Sequence, residues 1–184
     1  MSKGLIIALA TFGIFIFFII GIIAAIFGVN NTCVQQEQTV IAQYDQNKNN
    51  YDNYFKKLKE TAQVPDMYVT AFKKVYDGIM QGRYGENGSK AAFQWIQENN
   101  PAFDSKLYTR IQEVIEAGRN DFEANQKTLL DKKRVYQTYL GQIPDGFFAK
   151  MLGFPKIDLA KYGIVTSEST EVIFETKKSD PIKL

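Results

Sequence analysis

From Leu5 to Val29 the chain carries no charge, Asn, Gln or Pro. At about 1.5 Å of rise per residue, such a helix reaches on the order of 37 Å, enough for a hydrocarbon core of about 30 Å with some tilt. Beyond Val34 the pattern changes to apolar and aromatic positions three and four apart. Val40, Tyr44, Tyr51, Tyr54/Phe55 and Leu58 share one face, with Asn47 filling the place between the first two tyrosines. No Gly or Pro follows Gly28 until Pro65. The pattern therefore predicts one helix of about 50 residues that leaves the membrane with little interruption. A polar Asn on such a seam can fix its register, as buried Asn does in coiled coils.

Val64-Pro65-Asp66 breaks this helix, because Pro lacks an amide donor and turns the preceding residue away from helix. Pro is well placed in the first turn of a new one, and Tyr68/Val69, Phe72, Val75/Tyr76 and Ile79 give a second helix over 65–80. Residues 81–89, with Gly82, Gly85 and Gly88, read as a loop. A short helix follows over 89–99, capped by Ser89, burying Phe93, Trp95 or Ile96 and ended by Asn100-Pro101. The longest soluble helix runs over 104–141, through Leu107, Ile111, Val114/Ile115, Gly118, Phe122, Leu129/Leu130, Tyr136 and Tyr139/Leu140. Its length calls for coiled-coil-like pairing, and the helix emerging from the membrane is its natural partner. Ile143-Pro144-Asp145 starts a short apolar helix over 146–152, closed by Gly153. The last thirty residues change period: Ile157–Leu159, Ile164–Thr166 and Ser169–Thr176 read as short strands or an extended arm, with a hairpin and an unpaired tail both open.

The first apolar run exceeds a signal-peptide h-region and lacks a small-x-small cleavage site, while Asn31-Thr32 before Cys33 is no lipoprotein box. An uncleaved signal-anchor is favoured. Lys3 and the amino terminus precede the run, and residues 30–44 contain no Lys or Arg. The flanking charge predicts a cytoplasmic N-terminus and a body outside the cytoplasm. The expected organisation is an anchor over 1–29, a helical bundle over 30–154 and a tail over 155–184.

Composition narrows the chemistry. All 20 acidic residues and every one of the 22 basic residues except Lys3 follow the anchor, so the body is nearly neutral. DKKR at 131–134 and the final KKSDPIK are short and interrupted by acids, which argues against a nucleic-acid interface. The chain has no His and one Cys, which removes the commonest general base and metal ligand and any internal disulfide. Cys33, at the membrane exit, is either a small interface residue or the site of a disulfide between copies. The glycines at 82, 85 and 88 lack the spacing and preceding strand of a phosphate loop. Glu113, Glu116, Asp121 and Glu123 read as a solvated helix face, with Arg119 as their ion-pair partner, rather than acid–base or cation-binding groups. No catalytic, cofactor-binding or metal residue is assigned, and no enzyme activity or small-molecule substrate is expected. Aromatic residues gather at Tyr136, Tyr139, Phe147, Phe148 and Phe154. Residues 146–154 are amphipathic enough to lie on a membrane or a partner, or to pack at the end of a bundle.

Pro144-Asp145-Gly146-Phe147-Phe148-Ala149-Lys150-Met151-Leu152-Gly153-Phe154 resembles the closing motif of LemA-family membrane proteins, roughly FP-x-N-x-x-A-x-x-x-G-F. Pro144, Ala149, Gly153 and Phe154 match, with Ile143 in place of Phe and Gly146 in place of Asn. Gly118-Arg119-Asn120-Asp121-Phe122-Glu123 is similar to the family's A-R-x-x-Y-N, and Asn100-Pro101-Ala102-Phe103 falls where it has Y-P-x-L. Tyr44 stands for the first-helix Trp. Asn53-Tyr54 replaces an arginine pair, the following L-I-P-N-L is absent, and Phe122 and Pro144 stand about one heptad further apart. The tail over 164–176 is similar to endings of LemA-like proteins encoded by bacteriophages.

The resemblance implies an N-terminal anchor, an antiparallel helical bundle outside the cytoplasm and no established enzymatic activity. The chain is accordingly expected to be a single-pass protein of the bacterial inner membrane, mainly α with a short extended or β tail. Its expected role is that of an envelope scaffold or adaptor contacting the bilayer and an envelope protein or a second copy. A phage-encoded effector that alters the host envelope, in exclusion or lysis, is the second reading.

Overall fold

The computed structural model describes residues 3–81, 88–99, 108–166 and 175–176. They are mainly helical, and no strand occurs among them. The chain divides into two compact units, Met1–Ala42 with Asp131–Tyr162 and Gln43–Leu130 with Gly163–Leu184. Helix α1 (Lys3–Thr61) and helix α4 (Tyr108–Gly141) each contribute to both.

Helix α1 is the expected continuous helix, 59 residues long. Among the described residues it is the one helix long and apolar enough to cross a membrane. None of its most apolar stretch is buried by protein, and Val29 is its first buried side chain. From there the inward stripe runs Val29, Cys33, Glu37 and Val40, all buried. At its C-terminal end Gln63 takes a positive φ of 51°, a conformation for which Gly is the usual choice. The Val64 amide donates to the Lys59 carbonyl at 3.1 Å and the Val64 side chain joins the core, so the last carbonyls are satisfied before Pro65 forbids continuation. A 3-10 turn (Asp66–Tyr68) leads into α2 (Val69–Met80), and α3 is Gly88–Asn99. Most of the expected loop at 81–89 lies outside the described residues, but Gly88 and Ser89 belong to α3 rather than to a loop; the 100–103 motif and the first residues of the expected long helix also lie outside the described residues.

In the second unit the core is continuous. Phe55 and Leu58 of α1 and Ala62 just beyond it meet Phe72, Tyr76 and Ile79 of α2, Ala92 and Ile96 of α3, and Ile111, Val114 and Ile115 of α4. Asn47 has the register role its place in the seam predicts: its Nδ2 donates to the Asn125 carbonyl of α4 at 3.1 Å, while its Oδ1 accepts from Gln43 at 2.8 Å. Tyr54 lies against Gly118 and donates to Asp121, so α1 and α4 run antiparallel here.

In the first unit the core is Val29, Cys33, Tyr136, Ala149 and Phe154, with Tyr139, Leu140, Phe148, Leu152 and Leu159 packed around it. Cys33 is fully buried, a small core residue rather than a thiol open to a second copy. Burial and the neighbouring Glu37 carboxylate raise its pKa. Helix α5 (Asp145–Met151) folds back after α4, and Gly146 is obligatory in that turn: a Cβ there would overlap the Leu140 carbonyl. Gly153 closes α5 with φ of +78°, which only Gly adopts without strain. Glu37 is the one buried charged side chain among the described residues. Its Oε1 accepts from the Tyr136 hydroxyl at 2.8 Å and from the Lys156 and Ile157 amides at 2.6 and 3.3 Å.

The tail departs from the strands expected of its β-branched residues. Asp158 caps a 3-10 turn (Leu159–Lys161) by accepting from the Ala160 amide at 3.0 Å, a local bond that outcompetes an extended ladder. Residues 163–166 have no regular structure. Most of the proposed pairing segment at 169–176 lies outside the described residues.

Candidate functional site

A concavity in the second unit is lined by the end of α2, the middle of α4 and residues 163–165. Two adjoining cavities of about 600 and 390 Å³ share Gln81, Phe122, Gln126 and Val165. Tyr44 and Tyr51 of α1 and Phe122 of α4 form an aromatic floor in the smaller one. They reach it because the α1 stripe repeats every three or four residues and because Phe122 sits beside Tyr51, ring centroids 5.5 Å apart. Glu116, Arg119, Asn120 and Glu123 line the larger one.

The polar groups around the floor are mostly engaged. The Tyr51 hydroxyl donates to Asp77 Oδ1 at 2.7 Å. Lys73 lies 3.7 Å from the same carboxylate oxygen and 4.9 Å from the centre of the Phe55 ring. Lys48 covers the Tyr44 ring at 4.6 Å. Burial, and then the bond to Asp77, pushes the Tyr51 phenol well above the ordinary tyrosine range. A phenol held neutral and already donating is a poor general base. Opposite it, Gln126 Nε2 donates to the Val165 carbonyl at 3.2 Å, so the chain's own segment 163–165 runs along the groove.

Of the acidic residues singled out in the sequence, Glu116 and Glu123 line the larger cavity together with Arg119, whereas Glu113 is exposed and Asp121 pairs with Tyr54; Glu116 also accepts from Gln112 at 2.9 Å. Among the described residues no group of three or more His, Cys, Asp or Glu could hold a metal ion. Gly88 serves packing: it is buried, and a Cβ there would stand 3.1 Å from Ile79. Two features escaped the sequence reading. Glu37 occupies an inward place in the α1 stripe, and an acid at such a place was the available signal. The groove had none, because Phe122, Gln126 and Val165 meet only through tertiary packing.

No family model, curated protein or solved structure matches this chain.

Proposed function

We propose that the chain is a single-pass membrane protein, anchored by residues 5–29, whose helical body acts as an adaptor or scaffold through protein contacts and performs no catalysis. The observation that carries this reading is the aromatic-floored groove, one wall of which is the chain's own segment 163–165, held by the bond from the Gln126 side-chain amide to the Val165 carbonyl. A side-chain amide such as Gln126 can hydrogen-bond a partner's main chain, while the apolar floor takes its side chains. Tyr and Phe on the floor supply contact area at low entropic cost, the residue types favoured at protein interfaces. The LemA-like motifs support the same anchored, non-enzymatic body, and the charge around the anchor favours a body outside the cytoplasm.

The test is crosslinking in cells from a photoreactive residue at Lys48, on the groove, and at Lys74, exposed on α2 away from it. A dominant protein adduct from position 48 that is lost on Tyr44→Ala, and is absent from position 74, is expected. Equal adduct patterns from both positions would remove the groove from the account.

A further inference from the structure

Helix α5 carries apolar side chains on two faces. Gly146 and Ala149 are buried and Phe148 packs half-buried on the same core, whereas Phe147 and Met151, one turn apart, are 67% and 57% exposed. Ile143, in the turn before α5, is 92% exposed. A helix whose inward face is already apolar has no reason to hold three further large apolar side chains out in water.

The position of this face within the first unit identifies its environment. Ala149 and Phe154 share a core cluster with Val29, the first buried residue of α1. No residue of α1 from 5 to 28 is buried, all but Ile26 are exposed, and Phe27 is 65% exposed. Leu140 and Tyr139 pack on that same cluster, and Tyr139 bonds the Thr32 side chain. The α4–α5 turn, which follows them, therefore stands level with the place where the apolar segment begins. Lys150 and Lys156 are exposed on and just beyond α5, long enough to lay their stems along apolar surface and their ammonium groups among phosphates.

We propose that the α4–α5 turn is a second membrane contact: Ile143, Phe147 and Met151 insert into the interfacial layer of the bilayer, and Lys150 and Lys156 engage lipid phosphates. This rests on residues 5–29 spanning that bilayer. Three side chains fall well short of the ~800 Å² per partner that a stable protein interface buries, which argues against a second copy as the occupant. They suit an interfacial segment, whose apolar face sinks roughly 5–10 Å into the headgroup boundary. The contact fixes the height and tilt of the unit relative to the lipid, which one spanning helix leaves free.

The test uses the full-length protein in vesicles of phosphatidylethanolamine and phosphatidylglycerol, with an environment-sensitive fluorophore on Phe147→Cys, Met151→Cys, Phe17→Cys or Arg134→Cys. Cys33 is buried, so wild type labelled under native conditions gives the background. Position 134 lies nine residues before Ile143 along α4, about 13 Å at helical rise. Fluorophores at 147 and 151 should lose roughly half their emission to a lipid carrying a nitroxide near the headgroup and be shielded from aqueous iodide, as expected for interfacial depth. The fluorophore at 134 should show the reverse. Iodide quenching at 147 and 151 equal to that at 134, with position 17 still quenched by lipid, would overturn the second contact alone. Shielding from both quenchers that grows with the protein-to-lipid ratio would assign the face to a second copy and also overturn it. Failure of a lipid carrying its nitroxide deep in the acyl chains to quench position 17, the middle of residues 5–29, would remove the spanning helix, and the proposal with it.

Discussion

Glu37 shows how much one side chain can organise. Its carboxylate collects a phenol and two backbone amides, joining α1 to α4 and to the segment after α5 within one unit. Glu37→Leu leaves all three donors without an acceptor and should destabilise that unit by ~3 kcal/mol, since each stranded group costs roughly 1–3 kcal/mol when buried. Tyr136→Phe removes one donor and leaves the other two bonds, so ~1 kcal/mol is expected. Thermal or denaturant unfolding in detergent checks the ranking; equal losses would mean that Glu37 is not the hub. The tyrosines give a second test. Burial raises the phenols of Tyr51, Tyr76 and Tyr136, helped by the bond to Asp77 at Tyr51, the charge of Asp77 at Tyr76 and the bond to Glu37 at Tyr136. Below the ordinary tyrosine value of about 10 all three are neutral whether the chain is folded or not, and this stabilisation is fully present. Above it the unfolded chain ionises first and binds fewer protons, so stability falls as pH rises from about 10. In a tyrosinate absorbance titration, these three should ionise only together with loss of helical circular dichroism. A smooth titration of every tyrosine with the helices intact would contradict the buried assignment.

At the scale of elements, the two α4–α5 glycines are opposites. Gly141→Ala meets no neighbour within 4 Å and replaces the poorest ordinary helix former at the end of α4, so it should be neutral or gain up to about 0.5–1 kcal/mol. Gly146→Ala drives a methyl into the Leu140 carbonyl and should cost ~1–3 kcal/mol or displace α5. Melting temperatures of the two variants moving in the same direction would discount this geometry. Both glycines look alike in sequence, and only the chain crossing its own carbonyl separates them. What was legible were elements set by local chemistry: the break at Val64-Pro65-Asp66, the three-four spacing through Leu58 and Ile111, the Asn47 seam position and closure at Gly153. What was not legible depends on distant partners. The stripe in α1 begins at Val29, eleven residues before Val40, and its early part was obscured because Cys33 and Glu37 are not apolar. The β-branched tail left strands and an unpaired arm both open; a strand needs a neighbour, and among the described residues the Asp158 carboxylate makes the stretch at 159–161 a turn while 163–166 has no regular structure. The groove was invisible for the same reason, being made by side chains 82 residues apart in Tyr44 and Gln126.

At the scale of the whole chain, charge and apolarity are segregated to a degree that makes orientation an experimental variable. Lys3 stands on one side of the apolar run, and the next cationic side chain on the other side is Lys48. The positive-inside bias counts Lys and Arg within about 15–20 residues of an apolar span, so Lys3 weighs heavily among the charges near residues 5–29. Lys3→Ala combined with Asn31→Lys and Gln35→Lys inverts that balance without touching the inward stripe, because 31 and 35 are exposed positions of α1. Orientation is read in spheroplasts with a membrane-impermeant maleimide on Lys161→Cys, an exposed site in the tail, against the buried Cys33 as background. The parent should label from outside in intact spheroplasts. The charge-inverted variant should label several-fold less until the membrane is opened, the behaviour expected when the cationic flank is retained inside. Equal labelling of both would mean that something other than flanking charge orients the chain, with the folding of the long α1–α4 pair the first alternative to test. Labelling of neither before lysis would place the body in the cytoplasm and move the search for a groove partner to that compartment.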